Sequence, residues 1–369
     1  MKIENINLYN YRNYNKLSLN LSPNINIFTG YNAQGKTNII EAIHFSALGI
    51  SHRTRNEGDL IKWEQEESQI NINFSKLNII SNLKFLLKKH TRKQIIYNSE
   101  QIKQKDLPGL LTMILFSPED LMLIKGTPLL RRRFLDIELS QISLIYYNEL
   151  VKYNKILLQR NNLLKKIKEN HKLIDMLDMW DNQFAQSAAF IVDKRIKGVE
   201  KLSYFTKIMH ENISKNNECL NLKYNLSNIK YTPLDDESLY DIFLKELKRN
   251  RNKDIYRGST SIGPHRDDLD FYINDVELKS FGSQGQQRSS VLSLKLAELE
   301  FLKEETGEYP VLLLDDVMSE LDKNRRDNLL MILQEKNIQT LITATDRDLF
   351  NNHPKNVFYK VDGGVVSIE

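Results

Sequence analysis

Residues 30 to 37 read Gly30-Tyr31-Asn32-Ala33-Gln34-Gly35-Lys36-Thr37, a G-x-x-x-x-G-K-[ST] string. An apolar run, Ile25 to Phe28, leads into it, and an apolar stretch beginning near Asn38 leads out at helical spacing. A strand, a glycine loop and a helix in that order turn backbone N–H groups toward a phosphate chain at a helix N-terminus. Lys36 is placed to neutralise the β and γ phosphates and the Thr37 hydroxyl to ligate Mg²⁺. The flanking strand and helix outweigh the alternative of a chance match in a loop. A nucleotide such as ATP is the expected ligand, but kinases, GTPases and motor ATPases share this loop.

The far end of the chain narrows the class. Val311-Leu312-Leu313-Leu314-Asp315-Asp316 is a continuous apolar run closing on two carboxylates, as a buried strand delivers them to a phosphate site. Asp315 is expected in the magnesium shell, and Asp316 is expected to orient or deprotonate the attacking water. The plainer reading is a pair of solvated aspartates at a strand end. Between the two motifs lies Ser283-Gln284-Gly285-Gln286-Gln287-Arg288, followed by Leu292, Leu296, Leu299 and Leu302 on one helical face. Weak alone, it resembles by position the ABC signature, in which a serine and a helix N-terminus meet the γ-phosphate held by another subunit. Ser319-Glu320-Leu321-Asp322 then resembles the D-loop. A further apolar strand, Thr340 to Ile342, leads to Thr345, which stands where ABC proteins keep a switch histidine. A serine that must reach a second glycine loop implies a two-fold, ATP-dependent homodimer with two shared sites.

The bulk properties fit this reading and exclude others. The 369 residues are 41% hydrophobic and 27% charged, ordinary globular usage. One cysteine, Cys219, forms no internal disulfide. The opening Met1-Lys2-Ile3-Glu4 lacks a signal-peptide pattern, and no run approaches the roughly 18 apolar residues of a membrane helix. A cytoplasmic protein with no membrane association is expected. The net charge of +4 leans only slightly toward an acidic partner. Arg131-Arg132-Arg133 and the run Lys88, Lys89, His90, Arg92, Lys93 are local basic clusters, to be read either as solvated faces or as phosphate contacts.

Along the chain, Leu17, Leu19 and Leu21 alternate with polar residues, as do Ile70, Ile72 and Phe74. Asn98-Ser99-Glu100 separates two short strand-like runs and predicts a hairpin. From about residue 140, Ile142, Ile145, Leu150, Tyr153 and Ile156 recur at helical spacing, and after a polar turn near Lys168 to Lys172 the period resumes through Leu177, Trp180, Phe184 and Ile191. Two long antiparallel helices forming an arm fit best, with a helical subdomain folded back on the body as the alternative. The expected fold is α/β: an ABC-type P-loop ATPase head with mixed β-sheet over 1–139 and 256–369, a β subdomain at about 65–110, and an inserted helical arm or lid over 140–255.

Several further strings carry a resemblance over nearly the whole chain: Tyr11-Arg12-Asn13-Tyr14, Ser51-His52-Arg53-Thr54, Phe116-Ser117-Pro118-Glu119-Asp120-Leu121, Arg131-Arg132-Arg133-Phe134-Leu135-Asp136, Gln159-Arg160-Asn161 and Gly263-Pro264-His265-Arg266-Asp267-Asp268-Leu269. With the phosphate motifs they resemble the RecF family of bacterial recombination mediators, relatives of SMC-like DNA-repair ATPases. In that family Asp316 occupies the place where most ABC ATPases have glutamate, which suggests slow turnover. The resemblance implies ATP-dependent dimerisation, binding of double-stranded DNA near gaps, and cooperation with RecR (with RecO) in loading RecA. Arg53, Arg55, Lys88, Lys89, Arg92, Lys93 and Arg131 to Arg133 become candidate DNA contacts. The triplet has the alternative of bracing the arm, since arginine forks serve buried pairing as readily as phosphate. Arg12 is assigned to the ATP site, stacking on adenine, and Glu119 or Asp120 stands at the Q-loop position. Three rivals share parts of this pattern: a transporter's nucleotide-binding subunit, an SMC or break-repair head, and a nuclease with an ATPase head. The basic clusters and arm oppose the first, the lack of a sustained heptad repeat opposes the second, and His265 with Asp267 and Asp268 reads as structural rather than as a metal site.

Overall fold

The strand that feeds the glycine loop, Ile25–Thr29, is buried along its whole length. In the computed structural model it lies inside a six-stranded sheet ordered Val365–Ile368, Asn356–Asp362, Ile25–Thr29, Thr340–Ala344, Val311–Asp315, Met113–Phe116. All neighbours pair in parallel except the Val365–Ile368 edge. Burial on both faces explains why the inner strands read as unbroken apolar runs. The strand Thr340–Ala344 separates the loop strand from the strand that ends in Asp315.

A second six-stranded sheet, wholly antiparallel, runs Tyr14–Asn20, Lys2–Tyr11, Glu67–Lys76, Ile79–Lys88, Gln94–Tyr97, Glu100–Ile102. Its alternation is that of a sheet with one packed face: Ile70, Ile72 and Phe74 are buried, while Asn71 and Asn73 between them are only partly so. The predicted hairpin is present, with Asn98 and Ser99 at φ 47° and 72°, the backbone a two-residue turn needs. Because this sheet begins at Lys2, it extends well beyond the β subdomain expected at 65–110. The helix Lys36–Leu48 packs against strands of both sheets, so Ile39, Ile40, Ile43 and Phe45 are all fully buried, each worth roughly 1.5–3 kcal/mol.

The structure describes residues 1–215, 217–227, 229, 237–350 and 355–369. The chain divides into two compact units, Met1–Asp120 with Glu298–Glu369, and Leu121–Ala297. This division differs from the bounds expected at 139/140 and 255/256. Helix Pro128–Ile142 and strand Leu220–Asn225 pack with the arm helices, through contacts remote in sequence such as Arg195 to Asp136, and strand Asp268–Ile273 packs on both that helix and that strand. The two long helices are Leu144–Glu169 and Met176–Ser214, as the periodicity predicts. They are not a bare hairpin, since helix Leu239–Arg257 packs on both and strand Leu220–Asn225 lies against the longer one. Among the described residues, no helix is long and apolar enough to cross a membrane.

Candidate nucleotide site

The glycine loop is held from outside. Gly35, at φ 118°, caps the helix Lys36–Leu48; a Cβ there would stand 2.6 Å from Asn13 Nδ2 and 2.9 Å from the Tyr14 hydroxyl. Gly30, at φ 145°, would place a Cβ 2.3 Å from the Val361 carbonyl. Only glycine tolerates both the backbone and the approach at these positions. Asn13 donates to the Gln34 carbonyl at 2.9 Å and accepts from Asn38 Nδ2 at 2.8 Å. The Tyr14 hydroxyl donates to the Gly35 carbonyl at 3.1 Å, and Gly363 N donates to Gln34 Oε1 at 2.6 Å. Ala33 completes the loop at φ 64°. The aromatic stretch before the loop therefore acts as its scaffold. Lys36 folds back to donate to the carbonyls of Gly30 and Tyr31 at 2.6 and 2.8 Å. Burial lowers its pKa below the ordinary lysine value, opposed by the charges of Asp316 and Asp315.

Asp315 is where the loop and the far strand meet. The Thr37 hydroxyl donates to Asp315 Oδ1 at 2.9 Å, and the Thr343 hydroxyl donates to the same oxygen at 2.7 Å. The sheet register makes this possible, because Thr343 pairs with Asp315 on one side and with Phe28 on the other. A carboxylate and a hydroxyl side by side are the hard oxygen donors that suit Mg²⁺. Asp316 follows at φ 55°, a left-handed backbone that costs a non-glycine residue roughly 1–2 kcal/mol. Two bonds hold it there: its N–H donates to Thr343 Oγ1 at 3.0 Å, and Ser319 Oγ donates to its carbonyl at 2.9 Å. Thr343 thus orients both aspartates, while Thr345, expected at the switch position, is exposed just past the strand. The alternation of a strand puts residues two apart on one face, a signal by which Thr343 was findable. In the D-loop, Glu320 is exposed, Leu321 is buried, and Asp322 caps helix Lys323–Glu335 by accepting from Arg325 N at 2.9 Å. At the Q-loop position, Asp120 accepts from Ser117 N at 2.8 Å and closes its own turn.

The signature string belongs to the other unit and starts the helix Gln284–Thr306. Ser283 Oγ accepts from Gln286 N at 3.2 Å while Gln286 Oε1 accepts from Ser283 N at 2.9 Å, a reciprocal cap. A Cβ on Gly285 would meet only Ser283 Oγ, at 3.9 Å, and Gln287 is buried, donating to the Leu278 carbonyl at 3.3 Å.

Several predicted contacts turn out to be otherwise engaged. Arg12 donates to both oxygens of buried Glu41, at 2.8 and 2.6 Å, and to the Asp59 carbonyl, so its fork is committed to the head rather than to an adenine ring. Lys93 is half-buried, its ammonium over the Phe45 ring, bonded to the Gly49 carbonyl and paired with Glu57. Arg131 is 2% exposed and gives a bidentate fork to Asp268 plus two backbone bonds, all within its own unit, which takes it out of the DNA candidates. Arg132 donates to the Asp267 carbonyl at 2.7 Å. Lys88 and Lys89 pair on the surface with Glu67 and Glu66. Arg53 reaches Asn38 at 2.8 Å from an exposed position, and Arg55, Arg92 and Arg133 are exposed. His265 has both ring nitrogens occupied, by Tyr153 at 2.5 Å and the Thr260 carbonyl at 3.2 Å. Burial pushes its pKa down to about 4.

The RecF/RecN/SMC N-terminal domain model matches residues 2–366. The chain is 45% identical over 370 residues to the DNA replication and repair protein RecF of Clostridium botulinum (strain ATCC 19397 / Type A), covering 99% of each. It is 44% identical over 369 residues to that of Clostridium perfringens (strain SM101 / Type A), again over 99% of each. A solved structure of the recombination mediator protein RecF with ATP, in the RecFOR pathway, superposes with a TM-score of 0.92 at 35% identity, covering 100% of this chain and 97% of that one. A Pyrococcus furiosus Smc head domain matches at a TM-score of 0.57 and 16% identity over 100% of this chain and 96% of that one, a likeness of fold.

Proposed function

Because the chain belongs to the RecF/RecN/SMC family of ABC-type ATPases, we propose that it is an ATP-driven DNA-binding switch of replication and recombinational repair, closed by pairing of two copies. The convergence of Thr37, Asp315 and Thr343 beside the glycine loop is the observation that carries this reading. Loop N–H groups and Lys36 bind the phosphate chain, Lys36 exchanging its two carbonyl partners for phosphate oxygens. Thr37 and Asp315 would hold Mg²⁺, which would supply charge neutralisation at the phosphate chain. Asp316 positions water for attack, and its short reach keeps hydrolysis slow. Ser283 and the N-terminus of its helix complete the site of a second copy. The paired heads bind double-stranded DNA near gaps through exposed cations such as Arg55, Lys88, Arg92 and Arg133, and act with RecR and RecO in loading RecA.

Mass measurement with and without ATP and a gapped duplex tests this reading, run beside Asp316→Asn. The wild type is expected to pair only with ATP. The variant is expected to pair, to lose hydrolysis, and to leave DNA more slowly, because ATP bridging the subunits stabilises the closed state by mass action. A monomer in saturating ATP and DNA would overturn the switch, and normal hydrolysis by Asp316→Asn would remove that residue from catalysis.

A further inference from the structure

The signature serine does not stand alone on its helix. Gln286, whose carbonyl oxygen accepts from Ser283 N, donates its Nε2 to Glu218 Oε1 at 2.9 Å. The other oxygen of Glu218 meets His210 Nε2 at 3.1 Å, and His210 Nδ1 meets Ser293 Oγ at 2.9 Å. Ser293 in turn donates to the Ser289 carbonyl one helical turn earlier. The chain of bonds leaves the signature helix at Gln286 and returns to it at Ser293. His210 lies fully buried near the end of the long helix Met176–Ser214. The backbone of Glu218 is tied to the same helix end, its N–H donating to Ser214 Oγ at 3.3 Å and its carbonyl accepting from that hydroxyl at 3.4 Å.

We infer that Glu218 and His210 are positioning residues for the shared nucleotide site: they fix the Gln286 amide, which fixes Ser283, and so tie the signature to the end of the long helix. The amide geometry supports this. With its oxygen committed to Ser283 N and its nitrogen to Glu218, Gln286 has one orientation, and loss of Glu218 frees it to turn. A chain whose members are mutually bonded, and which is anchored at fully buried His210 and Ser293, holds its geometry better than any single contact. Movement at the end of the helix Met176–Ser214 is thereby felt at Ser283, although neither His210 nor Glu218 touches nucleotide.

This inference rests on the reading of Ser283 as a contact made to a second copy, so the experiment includes a variant that tests that reading separately. Glu218→Ala, Glu218→Gln and Ser283→Arg are compared for monomer ATP affinity, ATP-dependent pairing by sedimentation, and melting temperature. Glu218 is a quarter exposed, so its variants fold even where a change at buried His210 would not. Glu218→Ala is expected to bind ATP as the wild type does but to pair about tenfold more weakly, the worth of one hydrogen bond to a charged group. Glu218→Gln keeps both contacts, its carbonyl accepting from Gln286 and its amide donating to His210 in the Nδ1–H tautomer, and is expected to restore pairing to within about threefold. A role confined to folding would lower the melting temperature and leave pairing of the folded protein intact. Wild-type pairing by Glu218→Ala beside blocked pairing by Ser283→Arg would overturn the relay and leave the shared site standing. Equal loss in Glu218→Gln and Glu218→Ala would overturn it too. Unimpaired pairing by Ser283→Arg would overturn the shared-site reading and this inference together.

Discussion

Both units gather charge, and they use it in opposite ways. At the end of the parallel sheet, Lys36 and Asp315 are buried short of completely, Asp316 is exposed, and among the described residues Lys36 has only backbone carbonyls as hydrogen-bond partners. In the second unit, Arg160 is wholly buried, bonded to Asp181 at 2.8 Å, to Asp254 at 2.9 Å and to Thr260 at 2.8 Å, and both aspartates are wholly buried as well. Arg195 is likewise buried, bonded to Asp136 at 2.7 Å and to the Pro264 carbonyl at 2.7 Å. The first arrangement keeps charges available for an exchange of partners. The second commits Arg160 and Arg195 to carboxylates, hydroxyls and a carbonyl of the same unit, locking its helices and loops to each other. Charged motif residues therefore divide by the completeness of their pairing, which no string of letters displays.

The largest expected effect lies in the closed cluster. Arg160→Met takes the Arg160 cation from two buried carboxylates, of which Asp181 keeps Arg251 at 2.8 Å, and breaking a buried pair from one side costs about 3–5 kcal/mol. A denaturant midpoint should fall accordingly, while ATP affinity of the still-folded protein stays near that of the wild type. A loss under about 1 kcal/mol would show that the cluster is not the brace its geometry describes. Lys36→Met is the mirror case and comes next in size. It removes the one side-chain cation the loop aims at the phosphates, worth about 100-fold in ATP affinity. Because burial of the ammonium disfavours its charged form, the fold should lose nothing and the melting temperature should hold or rise. Wild-type ATP affinity in the folded variant would remove Lys36 from the site.

Much of this was readable in the sequence wherever local spacing decides the outcome. The glycine loop, the Asp315 strand, the hairpin at Asn98-Ser99 and the two long helices all follow from patterns a few residues long. Partner choice was not readable, because it depends on contacts far apart in the chain. Arg131 and Asp268 are 137 residues apart, and nothing in the triplet around Arg131 distinguishes a brace from a phosphate contact. Arg12 meets Glu41 from across the scaffold of the loop, and Lys93 lies over Phe45 although its neighbours are exposed. The unit boundaries were missed for the same reason: helix Pro128–Ile142 reads like any amphipathic helix, and its side is chosen by Arg131 and Asp136.

Thr343 is the smallest and sharpest test of the contrast, since it is a fully paired residue inside the open site. Its hydroxyl donates to Asp315 Oδ1 and accepts from Asp316 N, so one oxygen joins the residue expected to hold metal to the residue expected to position water. Thr343→Val keeps the branched shape and removes both bonds. Asp315 retains its bond from Thr37, so ATP binding should change by less than about threefold. Asp316, held at φ 55° partly by the lost bond, becomes free to relax from its left-handed backbone, and water positioning should suffer. Turnover is expected to fall about tenfold, the equivalent of one modest hydrogen bond expressed only in the reaction. Thr343→Ser restores the hydroxyl and should recover most of the rate, which a loss due to packing would not do. The measurement is steady-state hydrolysis beside equilibrium ATP binding for all three proteins. Equal losses in binding and turnover would place Thr343 with the closed cluster as a structural residue. Unchanged turnover in Thr343→Val would show that Asp316 keeps its position through Ser319 alone.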